Sequence, residues 1–287
     1  MSHIHNKNPQ YPSSDLACER YRADLSQDGV RYEKTACPVG SWERIEISSV
    51  AGAKSIGRPM GFYDTLNLDL IDTLDGVATD QAASEIADEL HRLIAKMHIT
   101  PKRLLTVGLG NPLLTPDSIG PHAVKNVRAT MHIKDIDEAF FCSIYCSEIA
   151  VMTPGVKSVS GIDASVQVLG ICEKIKPNAV IAIDSLAAID AERLGKTIQL
   201  SSTGIVPGSG VGNHKAALDE EALGVPVISI GVPTVISANA FCRDFYPQNR
   251  KQRFTSMLVA PREIDEIARV AGEIIGRGIN LAFGIYS

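Results

Sequence analysis

Arg103 to Gly120, RLLTVGLGNPLLTPDSIG, reads as an apolar strand, a glycine turn, a carboxylate at Asp117 and then helix-permissive sequence. Ala179 to Leu186, AVIAIDSL, repeats the theme with a continuous apolar run that ends in a second carboxylate, Asp184. Strands buried on both faces of a parallel sheet carry unbroken apolar runs, and such sheets bind their ligands beyond the carboxyl ends of the strands. Both aspartates fall at such an end. A third stretch, Thr203 to Gly231, sets glycines at 204, 208, 210 and 212 between two strand-like runs. Glycine is favoured where φ must be positive or where a ligand or a second backbone comes close, so the loop reads as a working surface, with a tight surface turn as the plainer alternative.

Working outward, Trp42 to Ser48 alternates as a half-buried strand and Gly61 to Leu68 gives another, with one or two helical turns between them closed by Gly57. Apolar residues at three and four predict an amphipathic helix over 80–98. Further helices are expected over 119–131, 163–176, 187–194 and 262–276, and strands near 141–151 and over 179–183, 197–201 and 225–230. This alternation predicts an α/β fold, a mostly parallel sheet covered on both faces. The first 40 residues carry Pro9, Pro12, Gly29, Pro38 and Gly40 with little periodicity and read as a loosely ordered appendage, and 243–256 as an exposed connection.

The chain has 287 residues, is 45% hydrophobic and carries a net charge of −5, enough for a substantial core. Its Lys and Arg are scattered, which argues against direct nucleic-acid binding and polybasic membrane attachment. No apolar run reaches the roughly 18 residues of a membrane span, and the start MSHIHNKNPQ lacks a signal peptide's apolar core, so a cytoplasmic protein is expected. Six cysteines without a C-x-x-C pair or zinc-type spacing read as reduced thiols.

Gly108-Leu109-Gly110 follows a strand, yet a dinucleotide fingerprint needs a glycine where Leu113 stands, and no phosphate-loop motif exists. Ser209 sits in P-G-S-G-V, which is not the G-x-S-x-G of a hydrolase serine. Two carboxylates converging on one cleft suit acid–base activation of water, since like charges held close raise the pKa of one member. Two other readings stay open. Each aspartate can simply cap a helix, or the pair can hold a divalent metal with His214 as a third ligand.

The segments GLGNPLLTPDSIGP, MTPGVKSVSGI, IKPNAVIAIDSLAA, TIQLSSTGIVPGSGVGN and LGVPVISIGVPTV together resemble the germination protease family of spore-forming bacteria, with similarity from about Asp15 to Asn280. The resemblance implies a three-layer α/β/α sandwich similar to hydrogenase-maturation endopeptidases. It also implies an endopeptidase of the spore core that degrades small acid-soluble spore proteins during germination and assembles as a homotetramer. The family's catalytic aspartates, in TPD-x-x-GP and IAID-x-LAA, fall on Asp117 and Asp184. The hydrogenase-maturation relatives bind a divalent metal through acidic residues at these positions, so a metal held by Asp117, Asp184 and His214 is the alternative chemistry. His214 itself stands where the family pattern has Lys. Gly108, Gly110 and Asn111, with Gly208, Ser209, Gly210, Gly212 and Asn213, are expected to shape the substrate cleft.

The resemblance further implies a precursor that cleaves itself on the carboxyl side of an acidic residue. Ser14-Asp15-Leu16-Ala17 is a near copy of the family's substrate sequence, which places the cut between Asp15 and Leu16 and divides the chain into a propeptide, 1–15, and one peptidase domain, 16–287. Ser147-Glu148-Ile149-Ala150 matches more closely, but it lies in a strand-like stretch where ordered backbone resists proteolysis. Two rival readings accompany this one: a metal-dependent maturation peptidase, and a catalytically inactive structural relative.

Overall fold

Residues 14–21, 28–68, 76–208, 216–243 and 257–285 are described by the computed structural model. Among them nine strands form one sheet: β1 (Val30–Cys37), β2 (Gly40–Ile47), β3 (Gly61–Asn67), β4 (Arg103–Gly108), β5 (Glu148–Met152), β6 (Ala179–Ala188), β7 (Thr197–Ser201), β8 (Val227–Ser237) and β9 (Leu258–Val259). The helices are α1 (Val50–Ile56), α2 (Gly76–Lys96), α3 (Ile119–Asn126), α4 (Met131–Ile136), α5 (Glu138–Ser143), α6 (Lys157–Ser160), α7 (Ala164–Ile175), α8 (Glu220–Leu223), α9 (Ala238–Arg243) and α10 (Ile264–Ala282).

The sheet order is β1-β2-β3-β7-β8-β6-β4-β5, with β9 beside β8. The fold is α/β, and its sheet is mixed. Parallel pairing is confined to β8-β6-β4-β5, the half that carries Asp184 and the turn leading to Asp117. The other half is antiparallel. Within it β1 and β2 are joined by two residues, a connection too short for any parallel crossover. Helices α2, α3 and α10 cover one face, where Ile86 and Leu90 of α2 and Ile274 and Ile275 of α10 pack on Ile181, Ile183, Leu200 and Ile230. Val168 and Cys172 of α7 and Leu223 of α8 pack on Leu105, Val107, Val180 and Ala182 from the other face. Helix, sheet and helix make three layers. None of the described helices is long and apolar enough to cross a membrane.

Several expectations need correction. Within the first 40 residues the described parts, 14–21 and 28–40, are no appendage: Val30–Cys37 pairs with β2 along its whole length, and Ser14, Leu16 and Ala17 are buried. Residues 1–13 and 22–27, and 244–256 of the expected connection, lie outside the described residues. An edge strand exposed along much of its length shows weak hydrophobic alternation, which is why β1 escapes notice in the sequence. The helix expected over 119–131 stops at Asn126. There the Asn280 side chain of α10 donates to the Asn126 carbonyl and accepts from the Arg128 N–H, both at under 3 Å, and so caps the end from outside. Residues 138–143 are helical, with Asp137 capping the Phe140 N–H, and the strand begins only at Glu148. No helix spans 187–194: β6 runs on to Ala188, pairs with Ile236, and leaves only a 3-10 turn at Ala191–Arg193.

Beneath the antiparallel half, Asp64 of β3 and Glu89 of α2 are buried together. Glu89 receives Arg44 and Arg92, each at 2.6 Å, and Arg92 also reaches Asp64 at 3.3 Å. Burial alone would raise Glu89, but the two guanidiniums outweigh it and hold the carboxyl below its ordinary value. Asp64 is pushed up to about 7, first by burial and then by Glu89. The folded protein therefore keeps a proton on Asp64 that the unfolded chain has released above about pH 4. Stability should fall as pH rises from about 4 to 7, and the thermal midpoint of Asp64→Asn should fall less over that window. Parallel pH profiles for the two proteins would show that Asp64 is not the group responsible.

Candidate active site

The site begins with three glycines that bring backbone onto backbone. A Cβ at Gly108 would stand 2.4 Å from the Gly120 carbonyl oxygen, and one at Gly120 would stand 2.3 Å from the Leu109 carbonyl and 2.5 Å from that of Ile183. Gly110, at φ 107°, would drive a Cβ to 2.1 Å from the Asp117 carbonyl. The turn after β4 and the start of α3 thus touch through main chain alone. The Asn111 N–H donates to the Asp117 carbonyl at 2.7 Å, the Leu109 N–H to the Ile183 carbonyl at 2.8 Å, and the Thr234 hydroxyl to the Pro116 carbonyl at 2.6 Å. Asp117 closes the 3-10 turn Thr115–Asp117 just ahead of α3.

Asp184 is 3% exposed and sits within β6 opposite Gly231 of β8, so the helix-cap reading fails for it. Its Oδ1 accepts the Ser185 N–H at 2.9 Å. Asp117 and Asp184 line one cavity of about 210 Å³ together with Gly110, Gly208, Thr234 and Asp15. Gly108 and Asn111 shape the turn without lining this cavity. Ser209, Gly210, Gly212, Asn213 and His214 lie outside the described residues. For a metal, the two aspartates offer oxygen donors, but among the described residues no group of three or more His, Cys, Asp or Glu is arranged to hold an ion. These residues alone do not make a three-ligand centre.

Asp15 enters the cavity because residues 14–20 lie along the end of β6. The Asp15 N–H donates to the Ala187 carbonyl at 2.9 Å, and the Ala187 N–H donates to Asp15 Oδ2, also at 2.9 Å. Leu16, 0% exposed, packs with Leu186 and Ala188. Glu19 accepts the Ile189 and Asp190 N–H groups at 3.0 Å and the Ser14 hydroxyl; burial raises its pKa against these bonds. Gln199 of β7 accepts the Ala17 N–H at 2.9 Å and donates to the Asp15 carbonyl at 3.1 Å. Arg58 donates to the Ser14 carbonyl and stands 3.4 Å from Asp15 Oδ1. The second substrate-like sequence, 147–150, runs into β5, where Ile149 is fully buried.

Comparison with known proteins identifies the family of the chain. The family model described as germination protease matches residues 16–246. The chain belongs to the germination protease family. A germination protease of Clostridium perfringens is 34% identical and covers 94% of each chain, and one of Caldanaerobacter subterraneus is 34% identical over 83% of each. One from Oceanobacillus iheyensis is 43% identical over 67% of this chain and 53% of its own length. Among solved structures, a [NiFe] hydrogenase maturation protease HycI from Thermococcus kodakarensis covers 67% of this chain and 99% of its own, at 16% identity and a TM-score of 0.38. Membership of the family makes the protein a protease, and the α/β assignment rests on the strand order given above.

Sequence reasoning missed Arg58 and Gln199. A polar Gln inside the apolar strand TIQLS is a signal of a kind, whereas Arg58, just past the helix-closing Gly57, gives none.

The glycine contact has a measurable consequence. Gly170, in α7 with open space around it, should gain up to about 1 kcal/mol on substitution by Ala, the ordinary result within a helix. Gly120→Ala, also helical, should instead lose about 2 kcal/mol or more, because backbone has to move. Urea unfolding measures both, and a Gly120→Ala variant as stable as the parent would dissolve the contact as a constraint.

Proposed function

We propose that the protein is an endopeptidase made as a precursor, with Asp117 and Asp184 as its catalytic pair and its own N-terminal segment as the first peptide in the cleft. The observation that carries this reading is that Asp15, in the substrate-like sequence Ser14–Ala17, lines the same cavity as both aspartates. Two carboxyls facing one space share a proton readily, which leaves one as base and one as acid at neutral pH. The base takes a proton from water as its oxygen attacks the Asp15 carbonyl carbon. The bond to the Leu16 nitrogen then breaks, and the acid protonates the leaving nitrogen. One water is consumed; a carboxyl and an amine are formed.

This reading divides the chain into a propeptide, 1–15, and a peptidase, 16–287. While residues 14–17 hold the cleft, no other peptide can take their place, so the intact chain is its own inhibitor. By analogy with the family, the substrates are small acid-soluble spore proteins, the setting is the spore core during germination and the assembly is a homotetramer.

Intact-mass measurement on the incubated full-length chain should show loss of residues 1 to 15. Asp117→Asn and Asp184→Asn should each slow this loss by a thousandfold or more with an unchanged circular dichroism spectrum, as expected when half of an acid–base pair is removed. A cut that persists in either variant would come from another protease and would end this reading.

A further inference from the structure

The contacts that hold Asp15 go beyond packing. Its carboxylate lies between a backbone donor, the Ala187 N–H at 2.9 Å, and the Arg58 guanidinium at 3.4 Å. Its carbonyl oxygen accepts from the Gln199 amide at 3.1 Å. If the cut falls after Asp15, that oxygen belongs to the bond being broken.

The surroundings are built for this. Gln199 and Asp184 both pair with Gly231, one from each side, so their side chains rise from the same face of the sheet with a bare glycine between them. Strand spacing puts their Cα atoms roughly 10 Å apart, room for a peptide bond between the two side chains. Gln199 is itself buried, and with both amide atoms it binds the carbonyl of one residue and the N–H two residues on, contacts that any peptide sequence offers. Arg20 lies beside Arg58: burial and then Arg58 lower its pKa, while Asp15 counters them. Arg58 disfavours the charge on Arg20, and the Asp15 carboxylate offsets part of that repulsion.

We infer that Arg58 and the Ala187 N–H form a subsite for the carboxylate of the residue on the amino side of the scissile bond, and that Gln199 binds the carbonyl of that same residue. The inference rests on the peptidase reading above. Arg58 is then the specificity-determining residue, and Gln199 supplies a preorganised donor where negative charge develops on the carbonyl oxygen. The acidic side chain serves as a handle: it docks in the Arg58 subsite and so places its own carbonyl against Gln199.

The test uses the self-cleavage rate of the full-length chain, read by intact mass. Asp15→Asn and Arg58→Gln should each slow it by about 10- to 100-fold, the loss of a hydrogen bond to a charged partner. The double variant should be no slower than the slower single one, because one interaction is lost only once. Arg58→Lys, which keeps the charge, should recover part of the rate and keep the dependence on Asp15. Gln199→Leu should slow the cut by about 100- to 1,000-fold while the penalty of Asp15→Asn remains. Independent, multiplying effects of Asp15→Asn and Arg58→Gln in folded variants would overturn the subsite and leave the peptidase reading standing. Cleavage of the parent chain that is unaffected by Asp117→Asn would remove that reading, and this inference with it.

Discussion

The meeting of main chain with main chain at Gly108, Gly110 and Gly120 fixes where Asp117 and Asp184 stand. These positions leave no room for a Cβ, so the turn after β4 lies directly on the start of α3 and on the carbonyl of Ile183 in β6. Through Gly110 the same contact seats the Asp117 backbone, and β6 carries Asp184 one residue beyond Ile183. Parallel pairing of β4 with β6 makes both chains emerge at the same end of the sheet. Two acidic groups from segments more than sixty residues apart in sequence therefore face one cavity, and neither is placed by a flexible loop.

The antiparallel half of the sheet has a different task. It brings Gln199 of β7 into the row of Asp184 and Gly231, and the chain after α1 delivers Arg58 to the same region. Residues 14–20 bridge the two halves, hydrogen-bonded to β6 on one side and to Gln199 on the other. Backbone pairing, a buried leucine and a carboxylate–guanidinium contact are the means by which proteins bind extended peptides from other chains. Here the peptide belongs to the protein itself.

Sequence and structure agree where the signals are strong. β4 and β7 lie where the continuous apolar runs put them, and α1 ends at Gly57 in the left-handed conformation that its sequence announces. The sequence singles out Asp117 and Asp184 as carboxylates that follow an apolar run, and both line one cavity, although β6 runs on past Asp184 to Ala188. The failures have definite physical causes. Asp184 looked like a helix cap because DSLAA also suits a helix, and nothing local reveals that β8 extends far enough to hold Ala188 in the sheet. The end of α3 is set by Asn280, about 150 residues away, which no local rule anticipates. The N-terminal segment is polar and proline-marked, and reads as loose. Residues 14–17 of it are held by single specific bonds to Ala187, Gln199 and Arg58, and these leave no periodic trace in the sequence.

On the proposed function, residues 14–17 occupy the cleft of Asp117 and Asp184 as a bound peptide does. Amide hydrogen exchange on the intact chain carrying Asp184→Asn tests it directly, since the Asp15 and Ala17 N–H groups are held by the Ala187 carbonyl and by Gln199. Both amides should exchange about a hundredfold or more slower than in an unfolded peptide, and an added peptide containing Ser-Glu-Ile-Ala should speed their exchange by competing for the cleft. Exchange at the unfolded rate, or protection that no such peptide disturbs, would contradict the account.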